Sequence, residues 1–142
     1  MTTNATTANN LLLLVFNATT WANIAVNATS SPATNLYVAL HTADPTSSGN
    51  QSSSEVTYTG YARVAVARTN VGWTVTSNAV SPAANITFPT GTGGSGTATF
   101  ASIGMLSTGA GIILWSGPIS PTIVTGNGVT PALTTASTLT IT

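Results

Sequence analysis

The stretch from Leu36 to Pro45, LYVALHTADP, decides the fold class of this chain. Its first six residues place Leu36, Val38 and Leu40 on one face and residues 37, 39 and 41 on the other, the period-two alternation of a β-strand. An aspartate before a proline then ends the run, because the Asp44 carboxylate accepts a hydrogen bond from a backbone N–H further on, as in an Asx-turn. We therefore predict a strand closed by an Asx–Pro turn.

The same period recurs along the rest of the chain. The segment YARVAVAR, residues 61–68, alternates again, and turn formers such as SPAAN, PTGTGGSG, STGAG, SGPISP and TGNG separate the later segments. Further strand candidates are residues 73–76, 85–88, 97–105, 112–115, 122–125 and 137–141. About eight short strands without βαβ alternation predict an all-β fold, a single antiparallel β-sandwich or jelly roll.

The first ten residues, MTTNATTANN, are small and polar and predict an N-terminal arm, followed by one domain over residues 11–142. Asn9 and Asn10 are suitable N-caps for a short helix that carries LLLLVF and reaches toward Trp21. This helix either fills the core or docks on a neighbouring subunit. The candidate interface residues are Leu11, Leu12, Leu13, Leu14, Val15 and Phe16.

Charge is nearly absent from the sequence. Charged residues make up 3% of the chain, against about 25% in ordinary globular proteins, while threonine occurs 29 times. Two arginines cannot displace the counterions of a nucleic acid, and a polybasic segment for a membrane surface is missing, so we expect neither partner. A net charge of zero indicates a protein that packs against other proteins, including copies of itself.

The candidates for chemistry are few. His41 with Asp44 or Glu55 and one of many serines could form a small hydrolase, but the chain has no G-x-S-x-G elbow. The two acids have no spacing that favours glycoside cleavage, and with one histidine and no cysteine the chain lacks a metal-ligand pattern. We expect no catalytic residues, no metal and no cofactor, with a hydrolase as the remote alternative.

The charged residues fit a structural role better. Asp44 closes one predicted strand, and Glu55 precedes the strand that carries Arg63. If these strands are antiparallel neighbours, either carboxylate could meet the Arg63 guanidinium across the pair. The sequence therefore predicts an ion pair between Arg63 and one of these two acids.

The order of the motifs resembles a family of small virion proteins of tailed bacteriophages. LYVALHTADPT is followed by a polar loop, GYARV (60–64), ITFP (86–89), FASIGM (100–105) and LWSGPI (114–119), and the resemblance covers roughly residues 10–142. Members are often labelled tail-fibre proteins, and some similar β-sandwich proteins are capsid cement proteins. The pattern residues are Leu36, Tyr37, Leu40, Asp44, Pro45, Gly60, Tyr61 and Arg63.

This resemblance implies a non-enzymatic structural role in the virion. The pattern residues would then build the fold. In its near loss of charge this chain departs from the family, whose members usually carry more acidic and basic residues. We expect a cement or decoration protein on the outer capsid surface, which forms dimers or trimers and ties major capsid subunits together. A tail-fibre or tail-tip component is the alternative.

Overall fold

The computed structural model describes residues 4–21 and 32–141 and confirms an all-β fold with one short N-terminal helix. Part of the predicted polar arm (1–3) and the continuation of the predicted helix beyond Trp21 lie outside the described residues. The elements are α1 (Ala5–Asn17), β1 (Asn35–His41), β2 (Val64–Ala67), β3 (Trp73–Thr76), β4 (Ala79–Pro82), β5 (Ile86–Thr87), β6 (Ser95–Gly104), β7 (Ile113–Gly126), β8 (Ala132–Leu133) and β9 (Leu139–Thr140).

The described strands form three sheets. The largest has the order β2-β1-β6-β7, a second has the order β3-β4-β9, and β5 pairs with β8. Strand β1 runs antiparallel to β6, with Tyr37 opposite Gly104 and His41 opposite Phe100. Strand β6 in turn runs antiparallel to β7. In this sheet β7 is therefore an edge strand.

The chain divides into two compact units, which are described separately. The first comprises the described parts of residues 1–35, 66–86 and 133–142, and the second comprises residues 36–65 and 87–132. The first contains α1 with β3 and β4. The second contains the long β6–β7 hairpin and most of β1.

Helix α1 packs on the first unit through one face. Ala8, Leu12 and Phe16 follow one another at intervals of four residues, and all three are buried. The Phe16 ring meets the Trp73 ring of β3 edge to face, with the ring centroids 4.8 Å apart. This contact fixes the helix against the three-stranded sheet.

Arg68 holds the C-terminal end of α1. Its Nη2 donates to the carbonyl of Leu14 at 2.7 Å, its Nε donates to that of Val15, and its Nη1 donates to that of Ala33 at 3.3 Å. The last carbonyls of a helix lack partners within the helix, and they carry its partial negative charge. A guanidinium at this position therefore supplies hydrogen-bond donors to these carbonyls and a positive charge beside the negative end of the helix.

The helix begins earlier than the sequence predicted. Its N-cap is Asn4, whose Oδ1 accepts from the N–H of Thr6 at 2.9 Å, and Asn9 and Asn10 lie within the helix. The polar residues 5–10 are thus helical rather than an arm. The sequence signal was ambiguous because three asparagines in this segment are equally good caps.

Two of the predicted strands are one strand. Residues 113–126 form a single β7, so the segment SGPISP, predicted as a turn, lies inside it. The register shifts between Ala98 and Phe100 of β6, opposite Ile123 and Pro118 of β7, and this bulge accommodates the extra residues. Prolines are tolerated there because an edge strand needs fewer ladder N–H groups. Strands β4 and β8 were not predicted.

We predict that Phe16→Ala lowers the free energy of unfolding by about 3–5 kcal/mol, because the buried ring leaves a cavity beside Trp73. Urea unfolding followed by circular dichroism measures this loss. Val71→Ala is the matched control, since the Val71 side chain is 79% exposed and its truncation should change stability by less than about 0.5 kcal/mol. Equal losses in the two variants would contradict the packing described for α1.

Candidate functional site

The second unit is organised by an ion pair between Arg63 and Glu55, which confirms the pairing predicted from the sequence. The two side chains meet in a fork, with Nε to Oε1 at 2.7 Å and Nη2 to Oε2 at 2.7 Å. The Arg63 side chain is only 2% exposed and that of Glu55 is 16% exposed. A bidentate pair with this burial fixes both geometry and charge. The hydrogen bonds that Arg63 donates to Glu55 raise the pKa of Arg63, so the guanidinium stays charged.

The guanidinium also reaches the backbone of a distant loop. Its Nη1 donates to the carbonyl of Leu106 at 3.0 Å, and its Nη2 donates to that of Gly109 at 2.8 Å. These residues belong to the loop that joins β6 to β7, residues 105–112, hereafter the 105–112 loop. The base of this loop is closed by the N–H of Met105, which donates to the carbonyl of Ile112 at 3.2 Å.

Tyr61 connects the ion pair to strand β1. Its hydroxyl donates to Glu55 Oε1 at 2.9 Å and accepts from the N–H of Leu40 at 3.1 Å. Burial raises the pKa of this phenol well above its usual range, so the hydroxyl remains a donor to the carboxylate. The Tyr61 ring also stacks on Phe88, with centroids 6.2 Å apart.

Gln51 provides a second attachment of the 105–112 loop. Its side chain is fully buried, its Nε2 donates to the carbonyl of Tyr37 at 3.3 Å, and its Oε1 accepts from the N–H of Leu106 at 2.9 Å. Its own N–H donates to the carbonyl of Gly111 at 2.9 Å. A β-carbon on Gly104 or Gly111 would collide with this amide, so both positions require glycine. Gln51, Glu55, Tyr61 and Arg63 are called the polar cluster below.

The side chains of the 105–112 loop point outward while its backbone is held. Ile112 is 70% exposed, Leu106 50% and Met105 37%, which places them among the few large apolar side chains exposed in the described chain. The polar cluster thus binds the backbone of a loop whose apolar side chains remain in solvent. This arrangement is the best candidate for a contact surface in the second unit.

His41 lies in a buried hydrogen-bonded position. Its Nδ1 is 2.7 Å from the carbonyl of Ser53, which can only accept, so Nδ1 carries the proton. Its Nε2 then accepts from the hydroxyl of Ser102 at 2.7 Å. Burial lowers the pKa of His41, and the neutral ring fits both partners.

The Ser102–His41 pair has the distance of an activated nucleophile, but not the surroundings of one. His41 is fully buried and Ser102 is 1% exposed, so the hydroxyl is closed off from solvent. The Nδ1 atom of His41 contacts the Ser53 carbonyl, where a catalytic set would have a carboxylate. Asp44 serves elsewhere, since its Oδ1 accepts from the N–H of Thr46 at 2.8 Å, which confirms the predicted Asx-turn.

The structure distributes the other pattern residues around this site. Leu36 and Leu40 are buried in β1, Pro45 is buried within the Asx-turn, and Gly60 has a φ of 95° in the turn before Tyr61. The pattern residue Tyr37 contributes its carbonyl to Gln51. Most of them therefore lie in or beside the polar cluster.

The candidate interface residues of α1 fall into two groups. Leu12 and Phe16 are fully buried within the first unit and cannot face a partner as folded. The remaining four are half-buried: Leu11, Leu13, Leu14 and Val15. Leu12 and Phe16 thus contribute to the core of their unit, whereas an interface role for the other four residues stays a prediction.

Gln51 and Ser102 were not predicted from the sequence. Gln51 lies in TSSGNQSSS, whose composition predicts a solvated loop, and most of its neighbours are indeed exposed. The one available signal was glycine at position 104, inside a predicted strand, which marks a close approach of another group. Ser102 could not be distinguished from the other serines.

Neither a metal-ligand cluster nor a membrane-spanning helix is found among the described residues. In residues 4–21 and 32–141 no three His, Asp or Glu side chains come together in a way that could hold a metal ion. No helix within these ranges has the length and apolar character needed to cross a membrane.

We predict that Arg63→Met lowers the free energy of unfolding by about 3–5 kcal/mol, because it leaves the Glu55 carboxylate buried without its partner. Arg63→Lys should recover only part of the loss, since an ammonium cannot reproduce the fork. Chemical denaturation measures both variants. Asp44→Asn, which keeps an acceptor in the exposed turn, is the control and should stay within about 0.5 kcal/mol of wild type. A similarly small effect of Arg63→Met would contradict the role given to the cluster.

We predict that stability declines as the pH falls below about 6.5, the ordinary pKa of histidine. The pKa of His41 is lowered in the fold, so the unfolded chain binds the proton more readily. The contribution of the neutral His41 ring to stability is therefore complete above the pKa that this histidine has in the unfolded chain. It is lost as the pH falls through the lower pKa that His41 has in the folded protein. Because His41 is the only histidine, its ring resonances give this pKa directly by NMR titration. A midpoint at or above 6.5 would contradict the prediction.

Comparison with known proteins gives the site its context. Residues 2–142 match the family described as podophage GP4 fiber I protein gp80. A search of curated proteins gives no match. The family match supports the resemblance to phage virion proteins that the motif order indicated, without establishing a place on the capsid. Since the match covers nearly the whole chain, the protein belongs to the family of the podophage GP4 fiber I protein gp80, and it is a bacteriophage structural protein.

Proposed function

We propose that this protein is a structural subunit of a virion fibre in a tailed bacteriophage. The observation that carries the proposal is the family match over residues 2–142, whose description is that of a podophage fibre protein. The fibre, which is the alternative to a cement protein, therefore becomes the leading assignment.

The distribution of charge supports a role in contacts between proteins. All four charged side chains lie in the described part of the chain, and only that of Asp44 is exposed. Arg63 forms an ion pair with Glu55 and donates to carbonyls of the 105–112 loop. Arg68 donates to the carbonyls at the end of α1. A surface with so little charge suits uncharged protein partners, namely other virion subunits and copies of this chain. It does not suit nucleic acid or an anionic membrane.

The proposed role is not enzymatic. Ser102 and His41 form the described pair that most resembles a catalytic one, and burial of both side chains keeps a substrate from the hydroxyl. The hydrogen bonds of this pair instead join the Ser53 carbonyl to strand β6. Their role in the proposal is to stabilise the second unit.

A capsid cement protein, bound to major capsid subunits on the outer shell, is the second candidate within the same class. It is favoured by the absence of a fibrous repeat from the sequence, since fibrous shafts are usually built from repeated segments. The family description favours the fibre.

We predict that gold-labelled antibodies against this protein mark fibres, not the shell, in electron micrographs of the phage that encodes it. Quantitative mass spectrometry of purified virions should give a copy number close to that of the tail proteins. The major capsid protein, labelled in parallel, is the control for shell staining.

Uniform labelling of the shell, with a copy number approaching that of the major capsid protein, would replace the fibre with the cement role. Purified protein should then also raise the melting temperature of capsids stripped of it. Absence of the protein from purified virions would overturn both assignments.

A further inference from the structure

The turn that follows β7 contains a chemically reactive pair of residues. Of the twelve asparagines in the chain, only Asn127 is followed by a glycine. A glycine lacks the side chain that otherwise hinders attack of its backbone nitrogen on the preceding amide, so an asparagine before glycine loses its amide more readily than other asparagines. Both Asn127 and Gly128 are exposed, so water reaches them.

The reaction at this position needs only the chain and water. The Gly128 nitrogen bonds to Cγ of Asn127, the Cγ–Nδ2 bond breaks, and the amide leaves with the Gly128 proton as ammonia, which gives a cyclic succinimide. Water then adds to one of the two ring carbonyls and opens the ring to aspartate or isoaspartate. Because two arginines balance two acids in this chain, one such event changes the net charge from zero to −1.

The fold holds the attacking nitrogen in a hydrogen bond. The Gly128 N–H donates to the carbonyl of Gly91 at 2.8 Å. The N–H of Gly91 in turn donates to the carbonyl of Val129 at 2.8 Å, which closes the turn from the other side. Attack on the Asn127 side chain requires the Gly128 nitrogen to lose its proton and to leave this partner. The closed turn therefore opposes the reaction.

Close backbone packing keeps the turn in this position. A β-carbon on Gly91 would lie 2.0 Å from the carbonyl oxygen of Gly126, so the two backbones are in direct contact. Next to Gly91, the hydroxyls of Thr90 and Thr130 lie 2.7 Å apart and share a hydrogen bond. Opening the turn requires these contacts to separate together.

The segment that carries Gly91 is itself attached to the second unit. Tyr58 is buried, and its hydroxyl donates to the carbonyl of Pro89 at 2.8 Å. The N–H of Thr59 donates to the carbonyl of Gly93 at 3.0 Å. The Gly91 carbonyl lies between these two attachments, so it is a fixed acceptor for the Gly128 N–H.

We propose that Asn127 is a deamidation site of this protein and that the Gly91 carbonyl controls it by holding the Gly128 N–H while the turn is closed. Local opening of the turn then sets the rate of the reaction. The product adds a carboxylate at an exposed position of a chain that has almost no charge. The inference goes beyond the proposed function and applies equally to a fibre subunit and to a cement protein.

One peptide reports the reaction. Chymotrypsin cleavage after Trp115 and after Leu133 gives a peptide in which Asn127 is the only asparagine. The full-length protein is incubated at mildly alkaline pH, either folded or unfolded in guanidinium chloride, and tandem mass spectrometry then separates asparagine from aspartate and isoaspartate. We expect conversion in the folded wild type to be at least about tenfold slower than in the unfolded chain, as for a group that reacts only through local opening.

Gly91→Ala tests the control by the Gly91 carbonyl. Its β-carbon collides with the carbonyl oxygen of Gly126, so the turn must shift and release the Gly128 N–H. Conversion in the folded variant should rise at least about tenfold above that of the wild type. Gly117→Ala is the matched control, because a β-carbon there meets nothing within 4 Å, and it should react at the wild-type rate. Far-ultraviolet circular dichroism checks that both variants are folded.

If Gly91→Ala does not fold, Tyr58→Phe takes its place. It removes the hydroxyl that donates to Pro89 and should also speed conversion in the folded chain. Equal rates in folded and unfolded wild type, or wild-type rates in the variants that loosen the turn, would overturn the proposal. So would an unfolded chain whose reaction at Asn127 is not slowed by Gly128→Ala. None of these results depends on where the protein lies in the virion, so the fibre assignment is tested separately.

Discussion

The Arg63 guanidinium is the group on which the second unit depends. Its three nitrogens donate to the Glu55 carboxylate and to two carbonyls of the 105–112 loop, so one side chain joins the segment around Glu55 to a loop that lies 43–46 residues further along the chain. An apolar residue in this position would leave the two loop carbonyls without this donor and Glu55 Oε2 without its charged partner. The surrounding residues, with Tyr61 on one side and Gln51 on the other, complete the set of hydrogen bonds.

The two arginines of the chain both donate hydrogen bonds to backbone carbonyls, one arginine in each unit. Arg68 satisfies carbonyls at the end of α1, and Arg63 satisfies carbonyls in a loop. In a chain with only two acids, cations have few carboxylates to pair with, so the backbone becomes their main partner. Charge is thus used for holding irregular backbone in place, and threonine and asparagine supply much of the polar surface.

The strand period, the Asx-turn at Asp44 and the pairing of Arg63 with an acid could be predicted because each follows from local pattern or from the scarcity of charge. The start of α1 could not be predicted, because Asn4, Asn9 and Asn10 are equally suitable N-caps. Only the packing of Ala8, one turn after Asn4, favours Asn4 over the other two. The burial of Gln51 could not be predicted from the sequence either, because its amide packs against Gly104 and Gly111, both more than fifty residues away. Long β7 was divided in error at prolines that an edge strand tolerates.

The polar cluster contacts the 105–112 loop through backbone atoms alone: the N–H and carbonyl of Leu106 and the carbonyls of Gly109 and Gly111. Every residue type except proline offers the same atoms, so the outward side chains at positions 105–108, 110 and 112 contribute little to holding the loop. Stability and surface chemistry are therefore encoded by different residues. A lineage that keeps Gln51, Glu55, Arg63 and the glycines can change the surface chemistry of this loop by single substitutions, without having to evolve a new fold.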